Sequence, residues 1–209
     1  MRHSSDLSAH WEQLYASQAT DQVSWYRAHL EVSFELLIKA GLGPRRSRVI
    51  DVGGGASTLV DDLLDFGVGA ITVVDLSPAA LEIARKRLGG RAEQVTWIAA
   101  DVTTLQIPEG SFDLWHDRAA LHFLIAPEAA QAYVRVATHA IAPGGHAVIG
   151  GFAIDGPERC SGLPVVRREA ADIAAALGDA FTLVESRREV HSTPAGSPQR
   201  FAYALLRKK

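Results

Sequence analysis

A run of three glycines is the first feature of this chain that could do chemistry. Gly53, Gly54 and Gly55 follow the apolar segment 48–52 and precede a helical pattern at 57–66. Glycines at such a strand-to-helix turn let a ligand approach the backbone closely, and the first turn of the helix presents free N–H groups. A tight turn alone would also favour glycine. The pattern therefore predicts either a plain β-to-α turn or a loop that holds a nucleoside ligand.

Three carboxylates lie beside this loop or at corresponding places further on. Asp51 lies inside the first strand segment, and Asp75 and Asp101 end the next two. A carboxylate that ends the second strand can accept hydrogen bonds from both ribose hydroxyls of a nucleoside, although Asp75 could instead stabilise the start of the helix at Pro78. The dinucleotide fingerprint requires a third glycine where this chain has Thr58, which disfavours a nicotinamide cofactor.

The elements that must position these residues alternate between strand and helix. We predict strands at 48–52, 71–74, 95–99, 112–116 and 146–152, and helices at 8–18, 29–40, 57–66, from 77, from 127 and at 167–177. Two final strand segments, 181–190 and 200–206, are joined by a turn-rich loop and should pair antiparallel. The predicted class is α/β: a doubly wound seven-stranded sheet, with five parallel strands plus a C-terminal antiparallel hairpin and helices on both faces.

The segment Asp51-x-Gly53-x-Gly55 resembles the opening motif of the class I S-adenosylmethionine-dependent methyltransferases. Segments at 73–76, 99–102, 112–117 and 143–146 resemble later motifs of the family in the same order, so that the resemblance spans about 45–207. It implies S-adenosyl-L-methionine as the methyl donor. The donor-binding residues that it implies are Asp51, Gly53, Gly54, Gly55, Asp75, Leu76, Asp101, Val102 and His116.

The resemblance also implies a role for several of these residues. Asp101 would accept a hydrogen bond from the adenine amino group, and Leu76 and Val102 would pack on the adenine ring. The backbone at Gly53 and His116 would hold the amino acid part of the donor.

Residues 1–44 precede the predicted methyltransferase domain at 45–209, and we expect them to form a helical lid over the donor. Trp25 and Tyr26 provide aromatic rings just before the first strand of the sheet. A lid of this kind would exclude water from the site. Simple packing of an amphipathic helix on the sheet is the alternative.

Transfer of a methyl group from a sulfonium leaves a neutral thioether, so the leaving group needs no acid. An ammonium or hydroxyl acceptor must lose a proton to a base, whereas a thiol needs little help near neutral pH. The candidate bases are His116, Asp117 and His122. The alternative is structural: Asp117 would pair with Arg118, and His122 would cap a helical turn.

Two loops are expected at the acceptor side, at 152–164 and 191–199. With the aromatic pair they suggest the acceptor-binding residues Trp25, Tyr26, Arg159, Cys160 and His191. We predict a small-molecule acceptor, with a thiol or related nucleophile favoured. A protein lysine attracted by Asp155 and Glu158 is the alternative, and a non-catalytic donor-binding protein is the third hypothesis. A buried, inert Cys160 is also compatible with the sequence.

Composition limits the remaining possibilities. The formal net charge of -3 does not favour a nucleic acid or an anionic membrane as partner, and the single cysteine excludes an internal disulfide. No segment has the roughly 20 apolar residues of a membrane span. We expect a cytoplasmic enzyme without a metal, acting as a monomer or homodimer.

Overall fold

A seven-stranded sheet forms the centre of the computed structural model, which describes residues 4–17 and 22–209. The strand order is β3-β2-β1-β4-β5-β9-β8. The first five strands are parallel, and β9 pairs antiparallel with both β5 and β8. These strands are β1 (Arg48–Val52), β2 (Ala70–Asp75), β3 (Val95–Ala99), β4 (Phe112–Arg118), β5 (Ile141–Phe152), β8 (Phe181–Ser192) and β9 (Pro198–Lys208). The predicted fold class is confirmed.

Helices cover both faces of this sheet, and each face has its own buried apolar cluster. Residues of α2, α3 and α4 belong to one cluster, and residues of α5 and α6 belong to the other. The α-helices are α1 (Ser4–Ser17), α2 (Glu31–Lys39), α3 (Leu59–Asp65), α4 (Pro78–Leu88), α5 (Pro127–Ala140) and α6 (Ala170–Leu177). Within the described ranges, no helix is long and apolar enough to cross a membrane.

Local sequence signals account for several boundaries. Pro78 occupies the first turn of α4, and the Ser77 side chain caps that helix by accepting a hydrogen bond from the backbone N–H of Ala80. Helix α5 likewise begins at Pro127. In β1, four of the five residues are buried, as expected for a strand covered on both sides.

Several elements differ from their predicted bounds, and two of the differences change the connections around the sheet. Strand β5 starts at Ile141 rather than 146, because the turn residues 143–145 lie in an irregular pairing with β4 instead of separating helix from strand. A short antiparallel pair, β6 (Arg159–Cys160) and β7 (Leu163–Pro164), occupies the loop predicted at 152–164. Its turn contains Ser161 and Gly162, both with positive φ.

Candidate functional site

The carboxyl ends of the parallel strands surround two adjoining cavities. The larger encloses about 980 Å³ of empty space, counting the part open to solvent, and the smaller about 500 Å³. The larger cavity is lined by Asp75, Leu76, Asp101 and Val102 on one side and by aromatic residues on the other. The smaller lies against the glycine loop. This edge is where open α/β sheets bind ligands.

The glycines of the loop allow two carboxylates to lie against its backbone. A Cβ on Gly54 would lie 2.5 Å from Asp51 Oδ2, and a Cβ on Gly55 would lie 2.6 Å from Asp75 Oδ2. Gly53 has a φ of +68°, and its N–H donates to Val74 O at 2.8 Å. Side chains at these positions would collide with the acidic groups, so the loop is built for close approach rather than only for a turn.

Asp51 belongs to a buried chain of polar groups. Its Oδ1 lies 2.7 Å from His116 Nδ1, and His116 Nε2 lies 2.9 Å from Ser33 Oγ. All three residues are buried, yet Asp51 Oδ2 has no hydrogen-bond partner. A buried carboxylate oxygen that has no partner among the described residues and lies beside the smaller cavity fits the ammonium group of an amino acid ligand.

Asp75 lies at the nucleoside end of the larger cavity. Its Oδ1 accepts a hydrogen bond from the Ser77 N–H at 2.9 Å. Burial raises the pKa of this carboxyl to about 7, and the charges of Asp51 and Glu12 act in the same direction. Asp101 accepts two hydrogen bonds from Thr103. The residues predicted to hold ribose and adenine thus line one cavity, and their individual roles stay predictions.

Helix α1 covers this end of the cavity. Leu7, Trp11 and Tyr15 line it from the N-terminal side. Ser8 Oγ donates to Leu76 O at 3.2 Å. Glu12 Oε1 accepts from the Ser77 hydroxyl at 2.9 Å and from the Ala79 N–H at 3.0 Å.

These contacts hold α1 against the residues that follow β2, beside the larger cavity. The lid role of the 1–44 segment stays a prediction. Residues 1–3 and 18–21 of the predicted 1–44 segment lie outside the described residues.

The geometry does not fit Asp117 as a general base. Its carboxylate is buried and accepts hydrogen bonds from the Ala120 N–H, the Leu121 N–H and the Tyr133 hydroxyl at 2.7, 3.0 and 2.7 Å. Burial raises the pKa of Asp117 to about 6, a value that would suit a base. However, the side chain lines neither cavity and does not pair with Arg118. Asp117 therefore orders the loop after β4.

The two histidines are also poorly placed for proton transfer. Both ring nitrogens of His116 are engaged with Asp51 and Ser33, so His116 orients the carboxylate instead. His122 is buried against Phe123 and Phe152 and lines neither cavity. Burial lowers its pKa to about 3, which makes it a weak base. The structure therefore does not support the predicted catalytic roles of His116 and His122.

The Tyr133→Phe variant tests the structural role of Asp117. The hydroxyl donates to Asp117 Oδ2 and accepts from Trp115 Nε1 at 2.8 Å, all within the core. Its removal leaves buried polar atoms unpaired, so we expect about 1–3 kcal/mol less stability in urea unfolding. The dissociation constant of S-adenosylhomocysteine, measured by calorimetry, should change less than twofold. Unchanged stability with a tenfold weaker affinity would instead place Asp117 in the ligand site.

The residues predicted to bind the acceptor do not all line the same cavity. Trp25 and Cys160 line the larger cavity, whereas Tyr26 lines only the smaller. Arg159 is exposed and donates to Gly162 O, because alternation along β6 turns Cys160 inward and Arg159 outward. His191 is buried, and its Nε2 donates to Ser24 O at 2.8 Å. Neither Arg159 nor His191 lines either of the two cavities, and their predicted role in acceptor binding stays a prediction.

Arg118 is a residue of the site that the sequence interpretation missed. It lines both cavities, and its side chain is only 6% exposed. Nε donates to the Tyr203 hydroxyl at 2.9 Å and Nη1 donates to Trp25 O at 3.2 Å. The guanidinium carbon lies 4.3 Å from the centre of the Phe201 ring. Strand alternation was the available signal, because it places Arg118 on the same face of β4 as His116.

Comparisons with known proteins agree with this arrangement. Residues 49–145 match the family described as a methyltransferase domain. The chain is 27% identical over 119 residues to the eEF1A lysine and N-terminal methyltransferase of Mus musculus, a match that covers 57% of this chain and only 17% of that protein. It is 33% identical over 82 residues to a ubiquinone/menaquinone biosynthesis C-methyltransferase of Methylobacterium nodulans, covering 36% of this chain and 32% of that protein.

A solved structure shows the same fold over the whole length. The 1,6-didemethyltoxoflavin-N1-methyltransferase of Burkholderia thailandensis, crystallised with S-adenosylhomocysteine, aligns with a TM-score of 0.74 and 24% identity. The alignment covers 100% of this chain and 92% of that one. The family match identifies residues 49–145 as a methyltransferase domain, and the glycine loop with its acidic residues and the strand order are of the class I, S-adenosylmethionine-dependent type.

Proposed function

We propose that the protein transfers the methyl group of S-adenosylmethionine to a small acceptor with an apolar or aromatic body. One observation carries this proposal: the larger cavity extends along the carboxyl edge of the sheet, from Asp75 on β2 to Phe152 and Phe201 on β5 and β9. Trp25, Phe123 and Cys160 also line it, and we call these five residues its aromatic end. Covered, mostly apolar cavities with a few polar groups are typical small-molecule sites.

The donor would be held by the residues already described. Asp75 would accept hydrogen bonds from the ribose hydroxyls, and Asp51 Oδ2 would accept one from the ammonium group. When bound, S-adenosylmethionine supplies an electrophilic methyl carbon and a neutral thioether leaving group. The protein itself would align the donor with the acceptor and exclude water from the site. Helix α1 contributes to the exclusion of water, because its Trp11 and Tyr15 line the cavity.

Methylation of a protein lysine is the second candidate, because curated relatives modify eEF1A lysines. The acidic residues that could attract a lysine are already paired. Asp155 contacts Arg188 and Arg200, and Glu158 contacts Arg167. The buried Arg118 beside the cavity would also repel an incoming ammonium group. These charges favour a small acceptor over a lysine.

The third hypothesis, donor binding without catalysis, predicts no room beside the sulfonium of the donor. The aromatic side chains that line the larger cavity support an acceptor site instead.

Labelled S-adenosylmethionine distinguishes these functions. We expect label to enter members of a panel of small thiols, phenols and acids, and not the proteins of a lysate. Label found only in protein would favour the lysine candidate. Tight donor binding without transfer to either panel would favour the non-catalytic hypothesis.

Substitution of Cys160 by Phe should narrow the aromatic end of the cavity. Cys160 is 6% exposed and lines this end, so the larger ring must occupy space that the acceptor would use. We expect small-acceptor turnover to fall at least tenfold, with the dissociation constant of S-adenosylhomocysteine changed less than threefold. Arg159→Ala on the same strand is the control, because its side chain faces solvent and both quantities should stay within twofold. Unchanged turnover in Cys160→Phe would contradict the position of the acceptor.

A further inference from the structure

The buried guanidinium of Arg118 is incompletely paired. Among the described residues its Nη2 has no hydrogen-bond partner, and the carboxylate oxygen paired with it, Glu189 Oε2, lies 4.0 Å away. That oxygen already accepts from the Tyr203 hydroxyl at 2.7 Å, and Glu189 Oε1 pairs with Arg27 at 2.7 Å. The carboxylate of Glu189 is therefore shared by the guanidinium groups of Arg27 and Arg118. A buried cation with an unused donor is costly unless a further acceptor arrives.

The position of Arg118 indicates which ligand would supply that acceptor. The guanidinium lies over Phe201, which lines the larger cavity at its aromatic end and does not line the smaller one. Arg27 lines the smaller cavity, beside the glycine loop, and its guanidinium is already paired there with Glu31 and Glu189. The unused Nη2 of Arg118 is thus associated with the acceptor end.

The same end offers no base among the described lining residues. Asp75 and Asp101 lie at the nucleoside end. Tyr15 and Cys160 are the other ionisable lining residues besides Arg118. Burial raises the pKa of Tyr15 above its ordinary value and raises the pKa of Cys160 to about 11, so both are neutral near pH 7. An acceptor that had to lose a proton inside the cavity would find no group to take it.

We propose that Arg118 binds the acceptor as an anion, so that the substrates are acidic nucleophiles such as thiols, phenols or carboxylic acids. This inference rests on the small-acceptor function proposed above. In the transfer step, a lone pair of the anionic atom forms the bond to the methyl carbon, and the carbon–sulfur bond breaks with its electron pair retained by sulfur. The anion and the sulfonium become a neutral methylated product and a neutral thioether. The acceptor's proton has already gone to solvent, so this step needs no base.

Matched acids and amides test the proposal on the full chain saturated with S-adenosylhomocysteine. The probes are benzoate against benzamide and 2-naphthoate against 2-naphthamide, titrated by calorimetry. In the wild-type protein at least one acid should bind tenfold or more tightly than its amide. Arg118→Met should abolish this preference while leaving the S-adenosylhomocysteine affinity within threefold. Arg118→Lys, which retains the charge, should keep a preference of at least threefold, and circular dichroism checks that both variants fold.

Several outcomes would overturn the proposal. No preference for the acid in either pair in the wild-type protein would exclude an anion site, whatever the variants do. If Arg118→Met weakens the binding of S-adenosylhomocysteine tenfold but leaves unchanged the binding of 5′-methylthioadenosine, which lacks the amino acid part, then Arg118 holds the donor's carboxylate and the proposal is wrong. Failure of the proposed function itself is distinct, because it would appear in the labelling experiment, as label found only in protein or as donor binding without transfer to either panel.

Discussion

Replacement of Gly55 by Ala should weaken the binding of S-adenosylmethionine and S-adenosylhomocysteine at least 100-fold. A Cβ at this position would lie 2.6 Å from Asp75 Oδ2 and 3.1 Å from Ala80 Cβ, and the φ of +35° is strained for a residue with a side chain. The carboxylate must move to relieve the contact, so the ribose hydroxyls lose their acceptor and the loop loses its shape. A 100-fold change corresponds to about 2.7 kcal/mol, within the reach of two charge-assisted hydrogen bonds.

Gly90→Ala is the matched control for this substitution. A Cβ there would meet no atom within 4 Å, and Gly90 lies in the short helical turn Gly89–Gln94, away from the cavities. Its donor affinity should stay within twofold of wild type. Isothermal calorimetry measures both variants, with urea unfolding to separate loss of binding from loss of the fold. A folded Gly55→Ala protein with wild-type affinity would show that the donor does not approach this loop.

The sheet could be predicted from the sequence because its signals are local. Strands β1, β2 and β3 are short apolar segments: Gly53 directly follows β1, Asp75 ends β2, and Asp101 comes two residues after the end of β3. The hairpin of β8 and β9 was predictable because no helical segment separates its strands. The glycine loop was predictable for the same reason: Gly53–Gly55 are adjacent in the chain, and their geometry depends on little else.

The roles of the last three residues of β4 could not be assigned from residue type alone. The strand continues to Arg118, so alternation of side chains governs the whole segment His116-Asp117-Arg118. His116 and Arg118 face the cavities, and Asp117 faces Tyr133 of α5 on the opposite side of the sheet. A sequence interpretation that ended the strand at 116 treated Asp117 as a loop residue free to reach the site.

The acceptor side depends on contacts between distant segments, which have no local signal. His191 bonds to Ser24, 167 positions away, and Arg118 contacts Trp25 and Tyr203 on either side of it in the sequence. The pair β6 and β7 decides that Cys160 rather than Arg159 reaches the cavity. Residue type suggested polar and aromatic candidates there, but tertiary structure decides which of them point inward.

Asp75 should make donor affinity depend on pH. The form that accepts hydrogen bonds from both ribose hydroxyls is the carboxylate, and the pKa of Asp75 in the donor-free protein is about 7 because burial disfavours its charge. Donor affinity should therefore be constant well above pH 7 and fall as the pH drops through 7, by up to about tenfold per pH unit. Binding lowers this pKa, so protons should be released when the donor binds near or below pH 7. Calorimetry in buffers of different ionisation enthalpy measures that release.

Asp75→Ala should weaken donor binding and remove the pH dependence of that binding. The loss of two hydrogen bonds to a charged group, each worth about 1.5–3 kcal/mol, predicts donor binding at least tenfold weaker at pH 8. Asp113→Asn is the control, because Asp113 lies near the start of β4, at the opposite edge of the sheet, where it pairs with Arg48. This control should retain the wild-type pH profile of donor binding. If Asp75→Ala keeps the wild-type profile, another group titrates on binding and Asp75 does not hold the ribose.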